Sequence, residues 1–194
     1  PSDFARGDLS FVLHASQGEF PRVVVAAGDV EECYYETMRA FNWAEKYQLP
    51  AIVLVDKYLA ESQMSVNPFD PNRVKIERGD FTITDRYKGK EEYMKHKITE
   101  TGVSPRLIPG TMGEIVRTNS DEHDESGYTT ERPDITAKMQ EKRMRKLSYL
   151  EKELHDREIE TTRLFGPEEA QATIISWGST KGPLLEAMRI LDNE

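Results

Sequence analysis

Two short apolar runs and a helical repeat between them dominate the first third of the chain. The run RVVVAA at 22–27 is β-branched and ends at Gly28, and AIVLVD at 51–56 is a second run of the same kind. Each has the length and composition of a buried parallel strand. Parallel strands joined by one helix pair through a right-handed crossover, so the pattern predicts a β-α-β unit and an α/β fold class.

The intervening helix is predicted to begin at Asp29, whose side chain can accept from the free N–H groups of the first turn, with Glu32 three residues later. Its core-facing residues recur at intervals of three and four positions. They are Val30, Cys33, Thr37, Phe41 and Ala44. Upstream, the apolar segment DLSFVLHA at 8–15 predicts a third strand.

The character of the chain changes between residues 63 and 133, where glycine and proline interrupt every candidate element. Loops of this length are uncommon inside a compact domain and are usually functional or packed on a partner. Two short pieces, RVKIERG at 73–79 and FTITDRY at 81–87, predict a hairpin.

A long charged helix is predicted at 134–158, with Asp134 as its N-cap after Pro133. Its narrow apolar stripe predicts that the helix lies across a surface. On its charged side, the basic residues of 138–146 are predicted to be exposed to solvent. The stripe consists of Ile135, Met139, Met144, Leu147, Leu150 and Leu154.

The last segment predicts a second β-α unit, with ATIISWG at 172–178 as the strand and PLLEAMRIL at 183–191 in the helix. A lone parallel strand cannot satisfy its backbone groups or bury both faces. We therefore expect additional chain after Glu194, and the missing initiator methionine before Pro1 agrees with a partial chain.

Composition excludes several classes of protein. A net charge of -9 and a pI near 5.1 argue against a general nucleic-acid binder. The single cysteine, Cys33, excludes an intrachain disulfide or a Cys-ligated cluster and fits a cytoplasmic location. No run approaches the ~20 apolar residues of a membrane span, and no signal peptide is recognisable.

The turn GSTKGP at 178–183 is the first candidate binding site. Its lysine precedes the second glycine, so the order of a Walker phosphate loop is absent. The alternatives are a tight strand-to-helix turn and an anion site at a helix start, to which Lys181 would add charge. The anion-site residues would be Gly178, Ser179, Thr180 and Lys181.

Two other polar segments carry alternatives of their own. The acidic run SDEHDESG at 120–127 offers oxygen ligands and His123, but its spacing is not that of a calcium loop, so we expect a solvated loop or a subunit contact and no metal. At the entrance to the first strand, Glu19 and Arg22 are either a structural ion pair or a position near a ligand or subunit contact, with Gly18 allowing close approach.

The motifs taken together resemble a known family. The segment 7–62 is similar to the later part of the pyrimidine-type thiamine-diphosphate domain in the alpha subunit of 2-oxoacid:ferredoxin oxidoreductases. It contains an Asp-Leu pair, GEFPR at 18–22, AEKYQLP at 44–50 and DKYLA at 56–60. The segments TGVSPRLIPG, NSDEHDESGY and ISWGSTKGPLLEAM resemble that family's inter-domain region and the start of its transketolase-C-terminal-like domain.

The resemblance implies a domain organisation, which the sequence alone does not delimit. It implies the later part of the pyrimidine-type domain at 1–62, a long inter-domain connection at 63–133, an amphipathic helix at 134–160, and a linker with the first β-α unit of the transketolase-C-terminal-like domain at 161–194.

The resemblance also implies a reaction, the oxidative decarboxylation of a 2-oxoacid to an acyl-CoA with electrons passed to ferredoxin. Thiamine diphosphate and Mg²⁺ would lie at the interface with a beta subunit, an iron–sulfur cluster in a partner subunit, and coenzyme A would be the co-substrate. The family's Tyr-Pro-Ile-Thr-Pro motif and thiamine-binding Glu are expected upstream of residue 1. No catalytic residue is therefore assigned, and this chain alone is expected to be inactive.

Site residues are carried over only as contacts. Gln17, Gly18, Glu19 and Arg22 are the candidates for cofactor-side or interface contacts, and the four residues 178–181 for an anion or coenzyme A contact. The rival hypotheses are a non-enzymatic interaction module and an anion- or nucleotide-binding α/β domain that uses the turn at 178–182.

Overall fold

The computed structural model describes residues 7–81, 92–111, 113–157, 159–167 and 169–191. Its helices and strands are α1 (Asp8–His14), β1 (Val23–Ala26), α2 (Val30–Tyr47), β2 (Ala51–Leu54), α3 (Lys57–Glu61), α4 (Pro133–Asp156) and α5 (Lys181–Leu191). Single 3₁₀ turns at Pro71–Arg73 and Gly178–Thr180 complete the described elements.

Strands β1 and β2 pair in parallel, from Val23 opposite Ala51 to Ala26 opposite Leu54, with α2 as the crossover. The predicted β-α-β unit and α/β class are confirmed. All residues of both strands are only partly buried, however, whereas the sequence predicted buried strands. In the described part of the chain the sheet has these two strands, so each has a neighbour on one side only.

Helix α2 begins as predicted. Asp29 accepts from the Glu32 N–H at 2.8 Å, and the Glu32 carboxylate accepts from the Gly28 N–H at 2.7 Å. The buried face differs from the prediction, because Phe41 is 68% exposed. A helical period identifies an apolar stripe but not the part of it that neighbouring segments cover. The buried residues are Tyr35, Ala40 and Tyr47.

The strand predicted at 8–15 is wrong, since these residues form helix α1. A short apolar run without alternation fits a strand or one helical turn equally well. Here Asp8 provides an acidic first turn, and the His14 ring Nδ1 lies 2.8 Å from the Ser10 carbonyl oxygen, one helical turn away.

The predicted hairpin is not formed by its first segment, since 73–79 continues from a 3₁₀ turn into irregular backbone. Phe81 makes one isolated parallel bridge, to Arg106, and the rest of the second segment lies outside the described residues.

The long connection at 63–133 packs against the β-α-β unit. The Gln48 amide donates to the Ser104 carbonyl at 2.5 Å and accepts from the Ser104 N–H at 3.2 Å.

Helix α4 forms as predicted but begins at Pro133, so the predicted N-cap Asp134 is wrong. Proline is pre-organised for the first helical position, and Asp134 therefore falls inside the first turn, paired with Arg132 at 2.8 Å. Leu150 packs with Tyr47 and Leu49 in the main apolar cluster.

The polar side of α4 departs from its prediction more strongly. Lys142, assigned to a solvated face, is only 4% exposed, whereas Met144 and Leu147 of the predicted stripe are each 36% exposed. The connection covers Lys142, because the Lys142 ammonium donates to the His96 carbonyl at 2.8 Å. Amphipathicity alone did not predict this contact with a distant segment.

The strand predicted at 172–178 is absent, although α5 forms as predicted. Ile174 and Ile175 are 73% and 89% exposed. A strand needs a hydrogen-bonding neighbour, and no described segment pairs with these residues.

None of the described helices is both long enough and apolar enough to cross a membrane.

Candidate functional site at the carboxyl edge of the sheet

Two carboxylates lie side by side where the strands end. Asp29 follows β1 and caps α2, while Asp56 follows β2 and caps α3 by accepting from the Leu59 N–H at 2.9 Å. Parallel strands present their carboxyl ends at one edge, which is where open α/β sheets bind ligands. With Glu32 from the first turn of α2, these residues form what we call the carboxylate cluster.

The turn at 178–181 docks on the carboxylate cluster. The Ser179 N–H donates to Asp56 Oδ2 at 2.7 Å. Lys181 Nζ donates to both Asp29 Oδ2 and Glu32 Oε1 at 2.6 Å. Of the four residues predicted for an anion site, Ser179 and Lys181 contact carboxylates of the same chain, whereas the Thr180 hydroxyl donates to the Trp177 carbonyl at 2.8 Å.

Two glycines permit this docking. Gly178 has φ +69°, and a Cβ there would lie 2.8 Å from Asp56 Oδ2. A Cβ at Gly28 would lie 2.7 Å from Lys181 Cδ. Both distances are too short for a side-chain carbon, so a side chain at Gly28 would displace Lys181, and one at Gly178 would displace Asp56 and adopt a strained backbone conformation.

The electrostatics of the edge follow from these contacts. Burial raises the pKa of Asp29, but the hydrogen bonds from Lys181 and the Glu32 amide outweigh it and hold the pKa below its usual value. Burial lowers the pKa of Lys181, and its bonds to Asp29 and Glu32 outweigh it and raise the pKa. Lys181 is thus a charge-paired ammonium, and a further anion would compete with two carboxylates for it.

The other predicted set lies at the opposite end of β1. Gln17, Gly18 and Glu19 are exposed in the segment that enters the strand. Arg22 donates to the Val12 carbonyl at 2.8 Å and stacks on Phe20 with 4.2 Å from its guanidinium carbon to the ring centre. Of the two alternatives for Glu19 and Arg22, the structural ion pair is not formed, and the guanidinium donates to the backbone carbonyls of Val12 and Ala15.

The acidic run is tied into the connection rather than solvated as a loop. Glu122 forms an ion pair with Arg143, Asp124 accepts from the Ser126 and Tyr128 N–H groups, and Glu125 accepts from the Ile98 N–H at 2.7 Å. Within the described ranges, no group of three His, Cys, Asp or Glu residues is arranged to hold a metal ion.

Sequence reasoning missed the residues that receive the turn. Asp56 and Glu32 looked like ordinary helix-start residues, and nothing in their spacing indicated contact with a segment more than a hundred residues later. The available clue was that Asp29 and Asp56 both follow parallel strands, which places them at one edge.

Comparison with known proteins gives a consistent result. The sequence model of the thiamine-diphosphate-binding family of pyruvate flavodoxin/ferredoxin oxidoreductases matches residues 3–142. The chain is 38% identical over 196 aligned residues to 2-oxoacid:ferredoxin oxidoreductase 2, subunit alpha, of Aeropyrum pernix, and 39% identical to the corresponding alpha subunit of Saccharolobus solfataricus. Both alignments cover 100% of this chain, but 29% and 30% of the relatives.

A solved structure agrees with these relatives. The 2-oxoglutarate:ferredoxin oxidoreductase of Magnetococcus marinus, determined with 2-oxoglutarate, coenzyme A and succinyl-CoA bound, superimposes with a TM-score of 0.80 and 32% identity. The match covers 96% of this chain and 31% of that one. The chain thus spans less than a third of the length of these proteins. Because the family model matches residues 3–142, the chain belongs to the thiamine-diphosphate-binding family of pyruvate flavodoxin/ferredoxin oxidoreductases.

Proposed function

We propose that this chain forms part of the alpha subunit of a 2-oxoacid:ferredoxin oxidoreductase. The reaction is the oxidative decarboxylation of a 2-oxoacid to an acyl-CoA, with electrons passed to ferredoxin. The observation that carries the proposal is similarity to alpha subunits along the whole chain, at 38% and 39% identity. Because a structural neighbour binds 2-oxoglutarate and coenzyme A, these are the substrates to test first.

The diphosphate end of the cofactor does not fit the described residues at the carboxyl edge. That edge carries three carboxylates, and its ammonium, Lys181, is already paired with two of them. A diphosphate with Mg²⁺ needs cations, N–H donors or metal ligands that are free to bind it. The diphosphate and its metal are therefore not bound at this edge, and we propose that the beta subunit holds them.

The same reasoning applies to electron transfer. An iron–sulfur cluster needs several cysteine thiolates, and this chain supplies only Cys33. Burial, followed by the charges of Asp29 and Glu32, raises the pKa of its thiol, which opposes the thiolate form. The residues of this chain therefore do not hold the cluster that reduces ferredoxin, and we propose a partner subunit as its location.

The segment 17–22 is proposed to contact the cofactor or the beta subunit. Gln17, Gly18 and Glu19 are exposed, and a Cβ at Gly18 would meet nothing within 4 Å, so this backbone is open to approach. Exposed Phe11 on the adjacent α1 adds an apolar surface. Arg22 holds the segment to α1 through the Val12 carbonyl, so it acts as a positioning residue in this proposal.

The turn at 178–181 is proposed to contact coenzyme A. On binding, the coenzyme would take the place of the carboxylates of the carboxylate cluster as the partner of the turn. Calorimetry with coenzyme A should show binding to the natural assembly and about tenfold weaker binding to Lys181→Ala, as for a lost charge-assisted hydrogen bond. Arg189→Ala, an exposed cation of the same helix paired with Glu186, is the matched control and should bind as the wild type does. Equal affinity of wild type and Lys181→Ala contradicts this role.

We propose a cytoplasmic location. Support comes from the single cysteine, which suits a reducing compartment. Recovery of the protein in the membrane or extracellular fraction of the source cells contradicts it.

The experiment that tests the proposed activity is a ferredoxin-reduction assay on the natural assembly that contains this chain. Its controls omit the 2-oxoacid and coenzyme A separately, so that each substrate requirement is measured on its own.

A further inference from the structure

A cavity of about 410 Å³ lies between α4 and the connection. Seven basic or imidazole side chains dominate its wall, and none of its lining residues is acidic. From the connection come Lys95, His96, Arg106 and His123, and from α4 come Lys142, Arg143 and Lys146. We call this cavity the basic pocket.

The two arginines and the three lysines of the basic pocket differ in how their charges are balanced. Arg106 pairs with Glu45 at 2.8 Å, and Arg143 pairs with Glu122. In the described part of the chain, no carboxylate lies within ion-pair distance of the lysine ammonium groups. Among the described residues, the pocket therefore gathers lysines that no carboxylate pairs directly, although the charge of Glu125 acts on Lys142 from farther away. These lysines are Lys95, Lys142 and Lys146.

Two of these lysines, Lys142 and Lys146, each make one hydrogen bond to a backbone carbonyl. Lys142 Nζ donates to the His96 carbonyl at 2.8 Å, and Lys146 Nζ donates to the Gln48 carbonyl at 2.6 Å. An ammonium group has three N–H donors. Each lysine thus retains N–H donors beyond these contacts, on a side chain fixed by packing.

A neutral donor completes the wall. His96 stacks on His123 with 3.8 Å between ring centres, and its Nε2 is buried without a hydrogen-bond partner among the described residues. Burial, followed by the charges of His123 and Lys142, lowers the pKa of His96 to about 3, so the ring is neutral. A neutral imidazole with its proton on Nε2 can donate to a ligand.

We propose that the basic pocket binds a tetrahedral oxyanion of the phosphate or sulfate class, held by Lys142, Lys146 and His96. Buried like charges without a counter-charge are costly, and an oxyanion supplies both the charge and the acceptors that these groups lack. The proposal concerns binding and does not depend on the proposed oxidoreductase activity.

The protonation of the lysines makes the binding sensitive to pH. Burial, followed by the charge of Lys146, lowers the pKa of Lys142 to about 7, and burial followed by Arg143 lowers that of Lys146 to about 8. A bound anion favours the charged forms, so binding takes up protons and weakens as pH rises through this range. The charged or titratable groups near Lys142 are Lys95, His96, His123, Glu125, Arg143 and Lys146.

Sulfate is the probe of choice, because its charge is constant between pH 6 and pH 9 and any pH dependence belongs to the protein. Titration calorimetry on the natural assembly should show sulfate binding that weakens at least tenfold from pH 6 to pH 9, with proton uptake near pH 8. Absence of sulfate binding at pH 6, or an affinity independent of pH, overturns the proposal.

Variants locate the site. Lys142→Met and Lys146→Met keep the apolar stem and should each weaken sulfate binding at pH 6 at least tenfold. Lys138→Met and Lys152→Met, exposed positions of the same helix, should change it less than twofold. Unchanged binding in both pocket variants overturns the proposal, and the pH series on the wild type decides the question if a variant does not fold.

Competition identifies the source of the oxyanion. Inorganic phosphate should displace sulfate. Displacement by coenzyme A but not by pantetheine, which has no phosphate, would identify the ligand as a phosphate carried by the coenzyme. Displacement by inorganic phosphate alone would identify a free oxyanion, and failure of phosphate to displace sulfate contradicts the proposed class.

Discussion

Gly178 is the residue on which the docking of the C-terminal turn depends most directly. Its backbone has φ +69°, and the position of a Cβ there lies 2.8 Å from Asp56 Oδ2. The left-handed conformation and the close approach both exclude a side chain. The same carboxylate accepts from the Ser179 N–H, so a shift at one residue disturbs the hydrogen bond of the next.

The first prediction compares two glycines of this turn. Gly178→Ala should lower the free energy of unfolding by about 1–3 kcal/mol, because a non-glycine residue is strained at positive φ and would displace Asp56. Gly182→Ala is the matched control, since it lies in α5 and its Cβ would meet nothing within 4 Å. There alanine should leave stability unchanged or raise it by up to about 1 kcal/mol.

Chemical denaturation of the purified protein measures both changes. The docking described here is contradicted if Gly178→Ala is as stable as the wild type, because an undocked turn could relax around the new side chain.

Helix α4 and the β-α-β unit show what hydrophobic patterning can predict. The pattern predicted β1, β2, α2 and α4 correctly. The two helices are long enough to show a helical period, and the two strands are β-branched runs bounded by turn residues. The pattern failed for α1, whose apolar run is too short to have a period, and for 172–178, where strand propensity is not matched by a pairing partner in the described chain.

The pattern also could not predict the basic pocket or the carboxylate cluster. Lys142 has the spacing of a solvated position on α4 and becomes buried only because the connection near His96 covers it. Lys181 meets Asp29 across 152 residues of chain. Such contacts depend on tertiary packing, about which local periodicity carries no information.

A prediction at this scale separates the two sides of α4. Leu150 is 5% exposed and packs against Tyr47, so Leu150→Ala should lower the free energy of unfolding by about 2–5 kcal/mol through the cavity it leaves. Leu147 belongs to the predicted stripe but is 36% exposed, so Leu147→Ala should lower the free energy of unfolding by less than about 1 kcal/mol. Equal losses of stability in a denaturation series on the purified protein would contradict the difference in burial between these two residues.

At the scale of the whole molecule, the chain presents one β-α-β unit, a long packed connection and a C-terminal turn docked on the sheet edge. Exposed Phe11, Phe41, Ile174 and Ile175 leave considerable apolar surface outside the core. Among them, Ile174 and Ile175 are adjacent in sequence and are available for contact with other polypeptide. This agrees with the relatives, of which the chain matches less than a third.

The proposed function therefore belongs to an assembly, and its activity is the most direct test. Purified with its natural partner subunits, the protein should reduce ferredoxin only when both a 2-oxoacid and coenzyme A are present, and the acyl-CoA should accumulate with two reduced ferredoxins for each CO₂ released if each carries one electron. The 194-residue chain by itself should show no turnover. Ferredoxin reduction that is indifferent to the 2-oxoacid, or an assembly that contains no thiamine diphosphate, would contradict the account.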